Sequence, residues 1–172
     1  MFPLKKAKFL LFLRYANNSF MQEIERKFLV NSTKWANFPK GNGNTIKQGY
    51  VFNEDKGVLR VRITNGLGFL TLKSQNIGAT RSEFEYEIPL SDAEKILETM
   101  CSTYLSKTRF VVKVGKHTWE IDEFHGTLTP LLLAEIELTS EDEPFEFPDF
   151  VLEEVTGNKR YYNSELIKRL EK

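Results

Sequence analysis

The chain has 172 residues and a mass of 20.0 kDa, which corresponds to one domain of ordinary size. Hydrophobic residues make up 41% and charged residues 28%, and this composition excludes a disordered protein. Basic and acidic residues both number 24, which excludes a strong overall electrostatic field for binding nucleic acid or membrane. The single cysteine, Cys101, excludes an intramolecular disulfide and a cysteine zinc site, and it predicts a cytoplasmic protein.

The first 20 residues differ in charge from the rest of the chain. They contain four basic residues and no acidic residue, and their apolar run, 9–13, has five residues. A signal-peptide core needs roughly 7–15 apolar residues and a membrane-spanning helix roughly 20. We therefore interpret residues 1–20 as an unstructured leader or a misassigned start, and residues 21–172 as one domain. A basic amphipathic segment that touches anionic lipid is the alternative.

Alternating polar and apolar residues recur from Met21 onward, separated by Gly, Asn, Pro and Asp, as is typical of β-strands. Eight runs are predicted to be strands: 22–30, 46–52, 57–64, 67–73, 81–88, 106–114, 117–124 and 131–139. Tight links at 65–66 and 115–116 predict antiparallel hairpins. A capping-box sequence at 91–94 predicts one helix, and a cap at residue 163 or 164 predicts another near the C-terminus.

In seven of these runs, charged residues share one side of the strand and apolar residues share the other. On the first strand Glu25 and Lys27 share the charged side, and Arg26 is an exception on the apolar side. A sandwich whose outer faces meet water would show the same alternation. However, the charged side contains almost no Ser, Asn or Gln, and eight strands are about the number at which a sheet closes. We therefore expect an α+β, mainly β fold: an eight-stranded antiparallel closed barrel, with its charged face inside and helices packed outside.

Charges that line the inside of a barrel need partners, so this face predicts a bound polyanion and a divalent metal. Two strands carry carboxylates two residues apart, which suit Mg²⁺ or Mn²⁺. These pairs are Glu23 with Glu25 and Glu135 with Glu137. The basic residues suit several phosphate groups, and they are Lys27, Arg60, Arg62, Lys73, Lys107 and Arg109. A lysine crowded by cations has a lowered pKa, so Lys107 is either a general base or another phosphate clamp.

The run 23–30, Glu-Ile-Glu-Arg-Lys-Phe-Leu-Val, resembles the opening Glu-x-Glu-x-Lys motif of the CYTH proteins, the triphosphate tunnel metalloenzymes. Further matches to small bacterial, tripolyphosphatase-like members follow in the family's order, at 48–50, 59–62, 71–74, 81–88, 107–109, 135–137 and 154–161. One departure is Gly157-Asn158, in place of acidic residues, which leaves the role of Lys159 and the C-terminal segment open. The resemblance implies a tunnel barrel, a triphosphate-bearing substrate, and Mg²⁺ or Mn²⁺.

The resemblance also implies a role for each matching residue. The metal ligands would be Glu23, Glu135 and Glu137, and Glu25 would hold a metal or orient the attacking water. The phosphates would be clamped by Lys27, Arg60, Arg62, Lys73 and Arg109. Glu85 and Asp122 match acidic positions that either bind a second metal or orient the bases. Tyr50 resembles a tyrosine that accompanies the catalytic lysine, with a packed aromatic as the alternative.

The expected activity is the hydrolysis of inorganic triphosphate to pyrophosphate and phosphate. The enzymatic alternatives are ATP cyclisation, as in class IV adenylate cyclases, and thiamine triphosphate hydrolysis. A polyphosphate-binding module without turnover is the alternative from another class of function. The expected partner is a small-molecule triphosphate, with no nucleic acid and no membrane, and a homodimer is left open.

Overall fold

The alternating runs form strands of one antiparallel sheet in the computed structural model, which describes residues 24–54, 56–74 and 82–170. The strands in these ranges are β1 (Ile24–Val30), β2 (Asn44–Glu54), β3 (Gly57–Thr64), β4 (Leu67–Ser74), β5 (Glu83–Ile88), β6 (Tyr104–Val114), β7 (His117–Phe124), β8 (Leu132–Leu138) and β9 (Val151–Glu154). Their order across the sheet is β5-β4-β3-β2-β6-β7-β8-β1-β9. All eight predicted strands are present, and the prediction of a mainly antiparallel β fold is confirmed. The leader, 1–20, lies outside the described residues.

The prediction of a closed eight-stranded barrel is wrong for the described residues, which form an open sheet of nine strands with β5 and β9 at its edges. β9 pairs with β1 between Phe28 and Val30, and so takes the edge of β1 that closure onto β5 would require. Arg26, the exception on the apolar side of β1, donates from Nε to the Glu154 carboxylate of β9 at 2.8 Å. Its guanidinium also lies over the Phe145 ring, 5.0 Å from the centroid. Arg26 therefore joins the ninth strand to the first.

The predicted hairpins and outer helix are confirmed, with one difference at the start of the helix. Asn65 (φ 51°) and Gly66 (φ 73°) have the left-handed backbone that a tight two-residue turn between β3 and β4 requires. The helix begins at Leu90, so Ser91 lies in its first turn and does not cap it. Gly68 lets this helix approach β4, because a Cβ there would meet the Cβ of Ala93 at 2.7 Å.

The apolar face of the sheet is covered by two packed layers. Over β1, β6, β7 and β8, the short helix α1 (Ser32–Asn37) places Trp35 in a cluster with Phe28, Trp119 and Phe150. Over β3 and β4, helix α2 (Leu90–Thr99) buries Ala93 and Leu97 against the sheet. Both helices lie on the apolar face, so the charged face is left for ligands. None of the helices in the described ranges is long and apolar enough to cross a membrane.

One end of the charged face is closed by apolar side chains. The strands contribute Leu29, Leu105, Phe124 and Leu133, which pack against Val155, Leu166 and Ile167 of the C-terminal segment. Helix α3 (Asn163–Leu166) carries Leu166 into this cluster. The Val155 amide also donates to the Lys27 carbonyl at 2.8 Å. The C-terminal segment, whose role the sequence left open, therefore closes the charged face at one end.

We expect Leu166→Ala to lower the free energy of unfolding by about 2–5 kcal/mol, because Leu166 is fully buried and its loss leaves a cavity. The measurement is urea unfolding at neutral pH. Leu152→Ala is the matched control, since Leu152 is 50% exposed and its truncation should change stability by less than about 0.5 kcal/mol. Equal small effects of the two substitutions would show that the C-terminal segment is not part of the core.

Candidate active site

An arginine cluster lies on β3, β4 and β5, where the register aligns Arg60, Thr71 and Glu85 in one row. The Glu85 carboxylate accepts from Arg62 Nη2 at 3.0 Å, from Arg60 Nη2 at 3.3 Å and from the Thr71 hydroxyl at 2.8 Å. Within the described residues, the Nε atoms of both arginines are buried and have no acceptor. Buried donors of this kind are costly unless an acceptor reaches them, so this cluster is suited to an anion.

The positive charge of Arg60 also affects the pKa of Arg62. Burial, together with the positive charge of Arg60, lowers the pKa of Arg62, against the opposing effect of Glu85. Further along the same face, the Lys73 ammonium lies 2.7 Å from the Glu83 carboxylate. Positive charge therefore exceeds negative charge in the arginine cluster, because the guanidinium groups of Arg60 and Arg62 share one carboxylate, that of Glu85.

A second cluster is centred on Arg109 of β6, whose three guanidinium nitrogens all donate to carboxylates. Nε and Nη2 donate to the two oxygens of Asp122, each at 2.6 Å. Nη2 also donates to Glu135 at 2.8 Å, and Nη1 donates to Glu120. Burial opposes the charge of Arg109, but Asp122 and Glu135 outweigh it and raise the pKa well above its usual value. In contrast to Arg60 and Arg62, Arg109 is saturated with acidic partners.

Lys107 is two residues before Arg109 on β6, and both side chains contact Asp122. The Lys107 side chain is 2% exposed, and its ammonium lies 2.5 Å from Asp122, which is fully buried. Burial lowers the pKa of Lys107, the charge of Asp122 opposes this, and Arg109 adds to it. The direction agrees with the sequence prediction, but burial is the main cause, not crowding by cations. Burial would raise the pKa of Asp122, yet the two cations lower it to about 2.

The predicted metal ligands among the described residues lie on the neighbouring strands β1 and β8. Glu25 lies directly opposite Glu137, and Lys27 lies opposite Glu135. Like charges placed opposite each other destabilise a sheet unless a cation lies between them. The side chain of Glu25 is 48% exposed. Partial desolvation of its carboxyl by the surrounding protein, and then the negative charge of Glu135, raise the pKa of Glu25. Glu23, the remaining predicted ligand, lies outside the described residues.

Lys27 links these acids. Its ammonium lies 2.8 Å from Glu135 and 3.4 Å from Glu25. Burial lowers the pKa of Lys27, but the charges of Glu135 and Glu25 outweigh it, so that the pKa is raised. A cavity of about 270 Å³ opens beside this group and is lined by Glu25, Glu120, Glu135, Glu137 and Glu143 among others.

The carboxylate oxygens of Glu25, Glu135 and Glu137 have the chemistry that a hard divalent cation requires. Within the described ranges, no three acidic, histidine or cysteine side chains are already gathered around one point for a metal ion. The two oxygens of Glu135 are turned towards Lys27 and Arg109. The donor types therefore fit a divalent metal, and the carboxylates would have to come closer together to surround it.

Tyr50 packs differently from the catalytic arrangement expected for it. Its ring packs against the apolar cluster at the closed end, and its hydroxyl accepts from Gln48 Nε2 at 3.1 Å. The register places Tyr50 opposite Arg60, whereas Lys107 lies opposite Ile46, four residues away along β2. These contacts favour the packed aromatic, and a catalytic role for Tyr50 stays a prediction.

The candidate site residues chosen from the sequence omitted three residues that contact the site. Glu120 accepts from Arg109, Thr71 binds Glu85, and the Tyr162 ring lies 5.8 Å from the Lys27 ammonium. The strand pattern already places Glu120 on the charged side of β7, because it is two residues before Asp122. Tyr162 had no such signal, since it lies outside the strands.

Residues 21–170 match the CYTH domain. The chain belongs to the CYTH family. The resemblance of its motifs is thereby confirmed, and membership implies a divalent metal. An inorganic triphosphatase of Acetivibrio thermocellus is 42% identical over 148 residues, which are 86% of this chain and 94% of that protein.

Two further comparisons agree with this CYTH assignment. An inorganic triphosphatase of Nitrosomonas europaea is 38% identical over 152 residues, which are 85% of this chain and 97% of that protein. The solved structure of the inorganic triphosphatase NE1496 is similar with a TM-score of 0.64 and 37% identity. That match covers 84% of this chain and 93% of the solved chain. The mainly antiparallel β fold of the described residues is thus consistent with the CYTH tunnel fold.

We expect Asp122→Asn to destabilise this CYTH protein by about 3–5 kcal/mol at pH 7, because it leaves Lys107 buried without its carboxylate. Since folding lowers the pKa of Asp122 from 3.8 to about 2, its ionised form stabilises the fold above pH 4. That stabilisation is lost as the pH falls from about 4 towards 2. The variant should therefore show a shallower loss of stability in this range.

The measurement for Asp122→Asn is urea unfolding at pH 7 and at several values between 4 and 2. Asp149→Asn is the control, since Asp149 is exposed. If both variants unfold like the parent protein, the buried ion pair does not stabilise the charged face.

Proposed function

We propose that the protein hydrolyses inorganic triphosphate to pyrophosphate and phosphate with the help of a divalent metal. The observation that carries the proposal is the identity of about 40% to proteins named inorganic triphosphatase, over nearly their whole length. The charged face supports it, because six basic side chains share that face with carboxylates. These are Lys27, Arg60, Arg62, Lys73, Lys107 and Arg109.

Phosphoryl transfer needs positioning and neutralisation of charge more than covalent help from the protein. The Nε donors of Arg60 and Arg62 are buried and have no acceptor within the described residues. Phosphate oxygens are good acceptors for guanidinium groups. Arg109 supplies positive charge on β6, two strands from β3 in the sheet order, and its charge acts on Arg62. Lys27 lies further along the sheet on β1 and shares Glu135 with Arg109. The phosphate chain would then extend across the face between the two clusters.

The metal is proposed to be Mg²⁺ or Mn²⁺, held by Glu25, Glu135 and Glu137 together with Glu23. When bound, it would neutralise phosphate oxygens that the basic residues do not reach. Glu25 is the half-exposed member of the set, with a raised pKa, and water reaches its carboxylate. We therefore assign Glu25 to orient the attacking water and to accept its proton.

The proposed role of Lys107 depends on its partner. A general base must reach the water it deprotonates, whereas Lys107 is buried and its ammonium lies 2.5 Å from Asp122. This geometry favours a role in holding Asp122, and through it Arg109, over direct proton transfer. The general-base role stays a prediction from the sequence.

The test is phosphate release with product analysis on the purified protein. Inorganic triphosphate, ATP and thiamine triphosphate are each offered with Mg²⁺, with Mn²⁺ and with EDTA. We expect metal-dependent turnover that is fastest on inorganic triphosphate and gives equal amounts of pyrophosphate and phosphate. Glu25→Gln should lower kcat at least about 100-fold, and Glu87→Gln on the exposed edge of β5 should leave it unchanged.

Two results would contradict the proposal. Cyclic AMP as the main product from ATP would make the protein a cyclase. Tight binding of triphosphate without turnover of any substrate would leave a binding module.

A further inference from the structure

Two neighbouring rows of side chains cross β3, β4 and β5 on the charged face. In each row, an arginine of β3 and a glutamate of β5 are separated by one residue of β4. The first row is Arg60, Thr71 and Glu85, and the second row is Arg62, Phe69 and Glu87. The arginine and the glutamate of a row are thus two strand spacings apart, about 10 Å along the sheet. The rows differ in the residue between them.

The first row is joined through its threonine. The Thr71 hydroxyl accepts from Arg60 Nη2 at 3.1 Å and donates to the Glu85 carboxylate at 2.8 Å. Arg60 Nη2 also donates directly to Glu85 at 3.3 Å. A small polar residue on the middle strand therefore lets an arginine meet a glutamate two strands away.

In the second row, an aromatic ring stands between the two charges. The Arg62 guanidinium carbon lies 5.6 Å from the centroid of the Phe69 ring. Arg62 donates from Nη2 at 3.0 Å to Glu85, which belongs to the first row. Among the described residues, the exposed Glu87 side chain has no hydrogen bond or ion pair. The two arginines therefore share one carboxylate, although each has a glutamate in its own row.

Phe69 is an apolar residue on the charged face, because it shares its side of β4 with Thr71 and Lys73. Core packing does not account for this position. Phe69 is half-buried and belongs to none of the apolar clusters that the described residues form. Its contact with Arg62 is instead the cation–π contact of an aromatic ring with a guanidinium group.

We propose that Phe69 is a positioning residue of the anion site, because its ring separates Arg62 from Glu87. Without this separation, Arg62 would pair with Glu87 as Arg60 pairs with Glu85, and two carboxylates would neutralise two guanidinium groups. With it, the cluster keeps an excess of positive charge and the buried Nε donors of both arginines. That the anion is a triphosphate rests on the proposed function, whereas the separation of the two charges does not.

The first experiment is calorimetric titration with inorganic triphosphate in EDTA, which measures binding without turnover. Phe69→Thr gives the second row the middle residue of the first row. Arg62 should then pair with Glu87, and triphosphate should bind about tenfold more weakly than to the parent protein. The double variant Phe69→Thr/Glu87→Gln lacks this carboxylate and should bind within about threefold of the parent protein. A double variant as weak as Phe69→Thr would overturn the proposal, because the loss would not involve Glu87.

Two single variants complete the comparison. Glu87→Gln should change the affinity by less than about twofold, because the exposed Glu87 side chain does not contact Arg62 in the parent protein. Phe69→Leu keeps a large apolar side chain between the charges and should bind within about threefold of the parent protein. If Phe69→Leu bound as weakly as Phe69→Thr, the contact of the ring with the guanidinium would explain the loss. The proposed separation would then be wrong.

A kinetic measurement distinguishes positioning of the anion from a general loss of structure. The proposed metal ligands lie on β1 and β8, remote from Phe69 in the sheet order. Phe69→Thr should therefore raise KM for inorganic triphosphate about tenfold and leave kcat within about twofold. A loss of kcat with KM unchanged would contradict the proposal. If Phe69→Thr folds poorly, Phe69→Val with and without Glu87→Gln gives the same comparison, since valine has the shape of threonine and suits a strand.

These results are independent of the proposed function. Recovery of binding by Glu87→Gln, in a protein that hydrolyses none of the three triphosphates, would leave the positioning role standing and the activity wrong. Hydrolysis of inorganic triphosphate without such recovery would leave the activity standing and the positioning role wrong.

Discussion

The structure depends on the neutralisation of charges that one face of the sheet removes from water. A buried charge without a partner costs several kcal/mol, which is a large part of the stability of a domain of this size. The clearest case is Asp122, which accepts from both sides of Arg109 and from Lys107. These partners lie on the neighbouring strands β6 and β7, so the register that aligns the two strands also brings these charges together. The apolar face can pack its helices in the ordinary way once this constraint is met.

The two halves of the charged face meet this constraint differently, and the difference gives the site its chemistry. On β3 to β5, two arginines share one glutamate, so positive charge and buried donors remain. On β1, β6, β7 and β8, carboxylates saturate Arg109 and surround Lys27. The first half thus has donors ready for an anion, whereas the second half pairs its cations with the carboxylates that we propose as metal ligands. A face of this kind suits a substrate that carries several phosphates, in agreement with the relatives of this CYTH protein that are named inorganic triphosphatase.

Much of this was predictable from the sequence, because strand parity depends on residue type alone. The period-2 pattern placed Lys27, Arg62 and Arg109 on one face without knowledge of the fold. The pattern could not predict which strands form the edges of the sheet, because the four-residue strand β9 is too short to show a period. The contact between β9 and β1 involves Arg26 and Glu154, which the pattern does not pair. Nor could it predict which charges meet: the saturation of Arg109 depends on register, and the burial of Lys107 depends on what packs over it. Tyr50 shows the same limit, because the sequence left both a catalytic tyrosine and a packed aromatic open, and only the fold shows its ring against the apolar cluster.

The most direct test of this explanation is a crystal structure of the protein with Mn²⁺ and a non-hydrolysable triphosphate analogue. We predict that phosphate oxygens will contact Arg60 and Arg62, whose buried Nε donors have no acceptor within the described residues, and that Mn²⁺ will lie at the carboxylates of β1 and β8. Asp122 should keep its contacts with Arg109 and Lys107. A triphosphate analogue bound away from both Arg60 and Arg62 would contradict this explanation of the site.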